Sequence, residues 1–336
     1  MRIAIVGTGA MGTLLGHGLC KGGHEVSLLD LPARIAQIQS AGRIVVADPT
    51  GAKSAVAPTL ATVDYGKAGV HNVVFLATKS QDLPLIAHKI PLLIDDSTMI
   101  VTIQNGLPWW YFQGMPSDHD ISRIECLDPD GSLERHIPSS QIIGCVAYPA
   151  AMMESDGTVR HVEGDRFPIG ELDGSTTERA HRLVGLFEDA GFRSRVIDDI
   201  RSELWLKAWG AISINPVSAL TRATMEDICT FPETCSVIEQ MMREVQELAE
   251  ALGATFRHTI ERRIEGARAV GAHRTSMLQD VESGRPLELD AVMLAVVELA
   301  ERLGKEVPTV RTIYACTALL NKNFLSASDE LEERIA

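Results

Sequence analysis

Met1-Arg-Ile-Ala-Ile-Val6 runs directly into Gly7-Thr8-Gly9-Ala10-Met11-Gly12, and a helical pattern follows over residues 14–21. An apolar strand, a G-x-G-x-x-G turn and a helix, in that order, open a phosphate-binding βαβ unit. Gly7 permits the tight turn, Gly9 lets the backbone approach a pyrophosphate, and Gly12 lets the helix pack close to the strand. The helix start adds N–H groups and a partial positive charge, with Thr8, Ala10 and Met11 in the same turn. A second strand over 25–29 ends in Asp30, where an acid meets the ribose of a bound dinucleotide. A glycine-rich turn with no ligand is the competing reading. The strand before the motif and the helix after it favour the dinucleotide.

Working outward, 336 residues with 45% hydrophobic content suit two ordinary domains with sizeable cores. A net charge of −14 argues against nucleic acid and anionic membranes as partners. It leaves room for an anionic small ligand in a local basic pocket. No apolar run approaches the length of a membrane span. Cys20, Cys126, Cys145, Cys229, Cys235 and Cys316 are scattered and form no C-x-x-C, as reduced thiols of a cytosolic protein would be. A cleaved leader would take the glycine turn with it, so a cytoplasmic protein is expected. The histidines are dispersed without an H-E-x-x-H, and no metal site is expected.

Strand patterns over 2–6, 25–29, 73–77 and 99–103 alternate with helical ones such as 33–41 and 82–93, which implies a parallel sheet covered by helices. Residues 106–140 break that rhythm. They are rich in Pro, Asp, Gly and Ser and contain Trp109-Trp110-Tyr111-Phe112. They read as a long surface insertion whose aromatic cluster packs near the cleft entrance or a subunit contact. Strands over 142–147, 158–162 and 166–171 extend the sheet in antiparallel fashion, and a helix over 176–190 leads to a last strand over 192–197. From about residue 202 amphipathic helical patterns dominate, over 203–219, 235–252, 258–270, 287–303 and 310–322. The expected architecture is α/β: a doubly wound sheet domain over 1–199 carrying the 106–140 insertion, then an all-helical domain over 200–336. The charged end, from residue 326, is expected to fray.

Leu204-Trp-Leu-Lys207-Ala-Trp-Gly-Ala-Ile-Ser-Ile-Asn215-Pro216 is an apolar helix with one cation. Lys207, Ala211 and Asn215 recur every four residues and share a face. A lysine among Trp205, Leu206, Trp209 and Ile212 is expected to lose hydration, which lowers its pKa towards the range useful for proton transfer. A snorkelling lysine with its head in water is the equal alternative. His273-Arg-Thr-Ser276-Met-Leu-Gln-Asp280 precedes Arg285-Pro286-Leu-Glu288. Pro286 suits a helix start, so Glu288 is expected in the first turn of the 287–303 helix. There it either complements the helix dipole or, with Ser276, meets a bound substrate or cofactor. Thr78-Lys79 and Gln104-Asn105-Gly106 end two parallel strands, the edge where open α/β sheets bind ligands. Lys79 can meet a phosphate or carboxylate there, and Asn105 a ribose or an amide.

In this order the glycine turn, Thr78-Lys79, Asn105-Gly106, Ile169-Gly-Glu171, Lys207 with Asn215-Pro216, and Ser276-Met-Leu-Gln-Asp280 with Glu288 resemble the ketopantoate reductase (2-dehydropantoate 2-reductase) family over nearly the whole chain. The resemblance implies a Rossmann domain, a helical domain and an active site in the cleft between them. It implies Lys207 as general acid, Asn105 and Asn215 as substrate binders and Ser276 as the holder of the substrate carboxylate. Glu288 would contact the cofactor and organise the site, and Lys79 would contact the cofactor. Ala211 departs from the pattern, since many members carry a second asparagine there, and 222–225 lacks an asparagine that some members have. Members preferring NADPH usually place an arginine after the second strand, where this chain reads Leu29-Asp30-Leu31-Pro32-Ala33-Arg34. The chemistry of Asp30 favours NAD(H), the habit of the family favours NADP(H), and Arg34 is within reach of a 2′-phosphate.

The implied activity is hydride transfer from NAD(P)H to 2-dehydropantoate, giving (R)-pantoate for pantothenate and coenzyme A synthesis, in a homodimer. Asp30 and Ala211 motivate an alternative, an NAD-dependent D-2-hydroxyacid dehydrogenase acting on another bulky 2-oxo acid. A β-hydroxyacid dehydrogenase also combines such a turn with a helix-borne lysine, but the Ser-Met-Leu-Gln-Asp block speaks against it. A non-catalytic dinucleotide sensor would have no need of both Lys207 and Glu288.

Overall fold

The computed structural model describes residues 1–115 and 121–335, with side chains as far as 324. The chain divides into two compact units: residues 1–104, 108–123 and 128–200 form the first, and residues 105–107, 124–127 and 201–336 the second.

The first unit is built on strands β1 (Arg2–Val6), β2 (Glu25–Leu29), β3 (Ile44–Ala47), β4 (Lys53–Val56), β5 (Leu60–Thr62), β6 (Val73–Leu76), β7 (Met99–Thr102), β8 (Ile142–Cys145), β9 (Ala150–Met153), β10 (Val159–Glu163), β11 (Arg166–Glu171) and β12 (Arg193–Val196). Eight of them form one sheet in the order β12-β11-β8-β7-β6-β1-β2-β5. It is parallel from β5 to β8, and β11 joins β8 in antiparallel register with Ile169 opposite Cys145. Helices α1 (Ala10–Lys21), α2 (Pro32–Ala41), α3 (Tyr65–Ala68), α4 (Leu83–Ile86), α5 (Ser132–His136) and α6 (Glu178–Asp189) complete the unit. The central strands are apolar on both faces, as strands covered on both sides must be: Ile3, Ile5, Val73, Phe75 and Val101 on one face, and Ala4, Val74, Leu76 and Ile100 on the other, are fully buried. Phe167 stacks on Phe187 at 4.7 Å between ring centroids and ties β11 to α6. From β1 the chain winds outward to β2 and β5, then returns to β6 on the other side of β1. The carboxyl ends of β1 and β6 therefore flank a topological switch point, the crevice where such sheets hold ligands.

Three expectations are corrected in this unit. The strand over 158–162 does not extend the main sheet. As β10 it lies in a second sheet ordered β4-β3-β10-β9, whose other strands the sequence did not announce. The helix over 82–93 is broken into α4 and a 3₁₀ stretch, Ala87–Leu93, with Pro84 at one start and Pro91 inside the other. Three of the four aromatics in the 106–140 stretch are core rather than surface. Trp110 and Tyr111 are fully buried, Trp109 nearly so, and Trp110 Nε1 donates to Thr102 Oγ1 at 3.0 Å. Residues 116–120 of that stretch lie outside the described residues.

The second unit is helical: α7 (Ile200–Thr221), α8 (Met225–Thr230), α9 (Pro232–Ala251), α10 (Ile260–Ala269), α11 (Ser276–Glu282), α12 (Ala295–Arg302) and α13 (Pro308–Ile335). Its core gathers around α7, where Trp205, Trp209 and Ile212 are fully buried and Trp209 Nε1 donates to the Met242 carbonyl of α9 at 2.7 Å. The carboxylate of Glu244 on α9 caps α13, accepting from the N–H groups of Thr309 at 3.0 Å and Val310 at 2.9 Å. The expected fraying from residue 326 concerns side chains outside the described ones; the helical backbone of α13 continues to Ile335. Among the described residues no helix is long and apolar enough to cross a membrane.

Candidate active site

In the first unit the glycine turn sits at the switch point. Gly7 has φ +97°, and a Cβ there would lie 2.5 Å from Thr78 N. A Cβ on Gly12 would lie 1.9 Å from the Gly7 carbonyl oxygen. The fold itself thus requires these two glycines. Gly9 differs, because its φ of −64° suits any residue and a Cβ there would meet no protein atom within 4 Å. No constraint within the chain demands a glycine there, and the open space it leaves has room for a ligand. Gly9 also caps α1 without a side-chain hydrogen bond, so the first N–H groups of the helix face the same place.

Polar atoms converge on this edge. Thr78 Oγ1 after β6, Gln81 Oε1 and Gln104 Nε2 after β7 are buried without hydrogen-bond partners. Such groups cost free energy unless a ligand or water satisfies them. Lys79, half-buried, begins the 3₁₀ turn Ser80–Asp82. Burial pushes the Asp82 carboxyl above the ordinary carboxylate range, with Lys79 pulling it down and Asp30 pushing it up. Burial and the Asp30 charge raise the Tyr65 phenol to about 12. A bare glycine, a helix start and unsatisfied polar atoms along two strand ends fit a dinucleotide.

Asp30 does more than the sequence suggested. Its Oδ2 accepts from Thr8 N at 2.5 Å and Thr8 Oγ1 at 2.6 Å, and its Oδ1 accepts from Leu31 N at 2.7 Å. The carboxylate braces the glycine turn, and three of its roughly four acceptor positions are taken. Arg34 is held there too, donating to the Thr8 carbonyl at 3.2 Å, Thr13 Oγ1 at 3.2 Å and Gln37 Oε1 at 2.6 Å. Burial lowers the Arg34 pKa, and the Asp30 charge works against that.

In the second unit, Lys207, Ala211 and Asn215 are half-exposed on α7 while their neighbours 203–206, 208–210 and 212–214 are buried. The expected greasy surround of the lysine is corrected accordingly. Trp205 and Trp209 are two residues away and point into the core on the other side of the helix. Lys207 Nζ instead donates to Asn105 Oδ1 at 2.7 Å, across 102 residues of sequence. Asn215 lies two turns along the same face. Ser276, exposed, opens α11 after Thr275, whose hydroxyl caps the helix by accepting from Leu278 N at 3.2 Å. Asp280 pairs with Arg285 at 2.8 Å. Glu288, half-buried, is not in a first helical turn. Pro286, Leu287 and Glu288 are irregular, and a π turn, Asp290–Leu294, leads into α12. Nothing in the composition of those residues announces a π turn, and the sequence reading passed over it. Among the described residues no group of three or more His, Cys, Asp or Glu could hold a metal.

The first unit thus carries a glycine turn whose surroundings fit a dinucleotide, and the second an ammonium held by an amide on a half-exposed helix face. Known proteins resemble both units. The model of the family "Ketopantoate reductase PanE/ApbA" matches residues 3–174, and its C-terminal counterpart matches 199–321. The 2-dehydropantoate 2-reductase of Mesorhizobium japonicum is 40% identical over 94% of this chain and 96% of its own. A crystal structure from Ralstonia solanacearum, of a protein assigned as a ketopantoate reductase, superposes with a TM-score of 0.90 at 32% identity, covering 96% of this chain and 98% of that one. D-mandelate dehydrogenase in its ternary structure with NADH and anilino(oxo)acetate shares the fold, with a TM-score of 0.81 at 19% identity over 96% and 99% of the two chains. By both family models and by its relatives, the chain belongs to the ketopantoate reductase family.

Proposed function

We propose that the protein is a 2-dehydropantoate 2-reductase that works with Lys207 as its general acid and NADH as its preferred cofactor. A nicotinamide dinucleotide supplies the hydride that reaches the 2-oxo carbon of the substrate. The chain's own part begins at the glycine turn, where N–H groups at the start of α1 hold the pyrophosphate. Lys79 adds a cation to the same edge. Lys207 donates a hydrogen bond to the carbonyl oxygen and then a proton to the alkoxide that develops there. Asn105, accepting from Nζ, fixes the direction of the ammonium. Asn215 and Ser276 bind the substrate, with Ser276 on its carboxylate, and Glu288 meets the cofactor.

The 2.7 Å bond between Lys207 and Asn105 carries this reading, because it holds a cation in place on the half-exposed face of an otherwise buried helix. The cofactor preference rests on Asp30, a carboxylate fixed beside the turn that repels a 2′-phosphate, and on Arg34, three of whose five N–H donors are engaged by Thr8, Thr13 and Gln37. We place the enzyme in the cytoplasm as a homodimer, by family resemblance and by the commonness of two-fold assemblies. Its six cysteines are thiols rather than disulfides.

Turnover of 2-dehydropantoate, benzoylformate and 2-oxoisovalerate with each nicotinamide tests the assignment. Fastest turnover of 2-dehydropantoate with NADH is expected, and benzoylformate as the best substrate would move the protein to the 2-hydroxyacid dehydrogenases. Lys207→Ala should lower kcat by about 10²–10⁴. A variant as fast as the parent would remove Lys207 from the chemistry.

A further inference from the structure

One peculiarity of the second unit lies behind Asn105 rather than at the substrate. The backbone over Asp290–Leu294 is a π turn, in which Ala295 N donates to the Asp290 carbonyl five residues back. Ala291 C=O thus loses the donor that an α-helix would supply four residues on. It accepts instead from Leu107 N at 2.8 Å. Gly106, with φ +78°, is pressed against the same place. A Cβ there would lie 2.2 Å from the Ala291 oxygen, 2.4 Å from its carbonyl carbon and 2.8 Å from Val292 N. All three are backbone atoms, which no rotamer change can move aside. Ala291 is fully buried, and the residue before Gly106 is Asn105, whose Oδ1 receives the Lys207 ammonium.

We propose that the π turn is the positioning element for the proton donor: Gly106 and Leu107 dock on the freed Ala291 carbonyl and thereby fix the point at which Asn105 holds Lys207. This rests on Lys207 acting as the acid. Gly106 is in this sense a positioning residue, and only glycine allows the approach. The extra residue in the helix is retained because it turns one carbonyl outward to the chain segment that carries the amide.

A double-mutant cycle tests it, with kcat for oxo-acid reduction counted per dinucleotide-binding site so that loss of folded protein does not enter. Gly106→Ala should lower kcat by about tenfold or more in the parent and by less than about twofold in an Asn105→Ala background, because its effect passes through Asn105. Equal losses in both backgrounds, or no loss in the parent, overturn the proposal. If Gly106→Ala yields no folded protein, Asn105→Gln decides. It keeps the amide and leaves the docking untouched, but a fixed main chain cannot bring the longer arm's oxygen to the same point, so kcat should again fall; parental kcat overturns the proposal. Lys207→Ala separates the two claims. Parental activity there removes the general acid itself, whereas a dead Lys207→Ala beside an unimpaired Gly106→Ala removes only the π turn's role.

Discussion

At the scale of single residues, the proposed preference for NADH rests on Asp30. The carboxylate is bonded to both donors of Thr8 and to Leu31 N, so it shapes the turn and sets a negative charge beside it at once. Asp30→Ser separates those jobs, keeping a small acceptor and removing the charge. Hydrogen bonds to a charged group are worth about 1.5–3 kcal/mol. The variant's kcat/KM with NADH should therefore fall by roughly one to two powers of ten. Its kcat/KM with NADPH should rise, since the repulsion is gone and Arg34 loses the carboxylate that helps hold it. Steady-state kinetics with both nucleotides checks this, and an unchanged ratio would take cofactor choice away from Asp30. Lys207 shows the complementary case, in which the residue was legible and its surroundings were not. Spacing put Lys207, Ala211 and Asn215 on one face, but sequence neighbours on a helix face different ways, and the partner that matters comes from a strand end 102 residues earlier.

At the scale of elements, β1, the glycine turn and α1 were readable because their causes are local. Two glycines answer to backbone atoms within the unit, whereas a Cβ on Gly9 would meet no protein atom, which leaves the proposed dinucleotide as the reason for it. This distinction predicts opposite failures. Gly12→Ala drives a methyl into the Gly7 carbonyl, so it should lower the melting temperature by an amount corresponding to about 1–3 kcal/mol. Gly9→Ala should melt with the parent and yet bind NADH at least about tenfold more weakly, as read by titration of protein fluorescence. If Gly9→Ala is the unstable variant and Gly12→Ala the weak binder, the roles are reversed. The amphipathic helices of the second unit were equally legible, because 3.6-residue periodicity survives without knowledge of neighbours. The small sheet was not. β4 is the four residues Lys53–Val56, half in water, and β9 is Ala150–Met153; each pairs locally, with β3 and β10, and the two hairpins become one sheet only through the distant pairing of Val46 with Val159. Pattern also fails where geometry departs from the regular helix, as in the π turn that displaces Glu288 from its expected first turn.

At the scale of the whole molecule, both units close buried acids with fixed partners, Glu203 with Arg257 and Glu244 with the start of α13 in the helical unit, Glu171 with Arg179 and Asp128 with Leu133 N in the sheet unit, so the pH response near neutrality should come from other groups. The sheet unit contains two histidines whose pKa values lie below the ordinary 6.5. For His17 the cause is burial, then the Lys21 charge, with Ser54 opposing. For His71 burial again leads, the Gly69 backbone opposes it, and the Arg2 charge adds to it. A folded-state pKa below the unfolded one means that the unfolded chain takes up protons first as pH falls through 6.5. Stability is then lost as the pH drops from 7 towards the folded values. Asp48, Asp95, Asp156, Asp165, Asp173 and Asp227 are lowered by hydrogen bonds to their carboxylates, led by Ser, Thr or Arg side chains and, for Asp156, by Thr158 N–H. They act in a separate window, with stability lost only as pH falls below their ordinary 3.8 towards still lower values. Asp82 and Asp290, raised by burial, work in the opposite sense above 3.8. The melting temperature should therefore decline between pH 7 and pH 5.5, well before the turn aspartates protonate. Asn at both histidines keeps a polar group towards Ser54 and Ser27 without the titration, so the double variant His17→Asn/His71→Asn should lose most of that slope. Calorimetric scans at half-unit pH steps measure it. A double variant with the parental slope would place the acid sensitivity elsewhere in the protein, and a transition that moves with pH in the helical unit alone would exclude the sheet unit as its source.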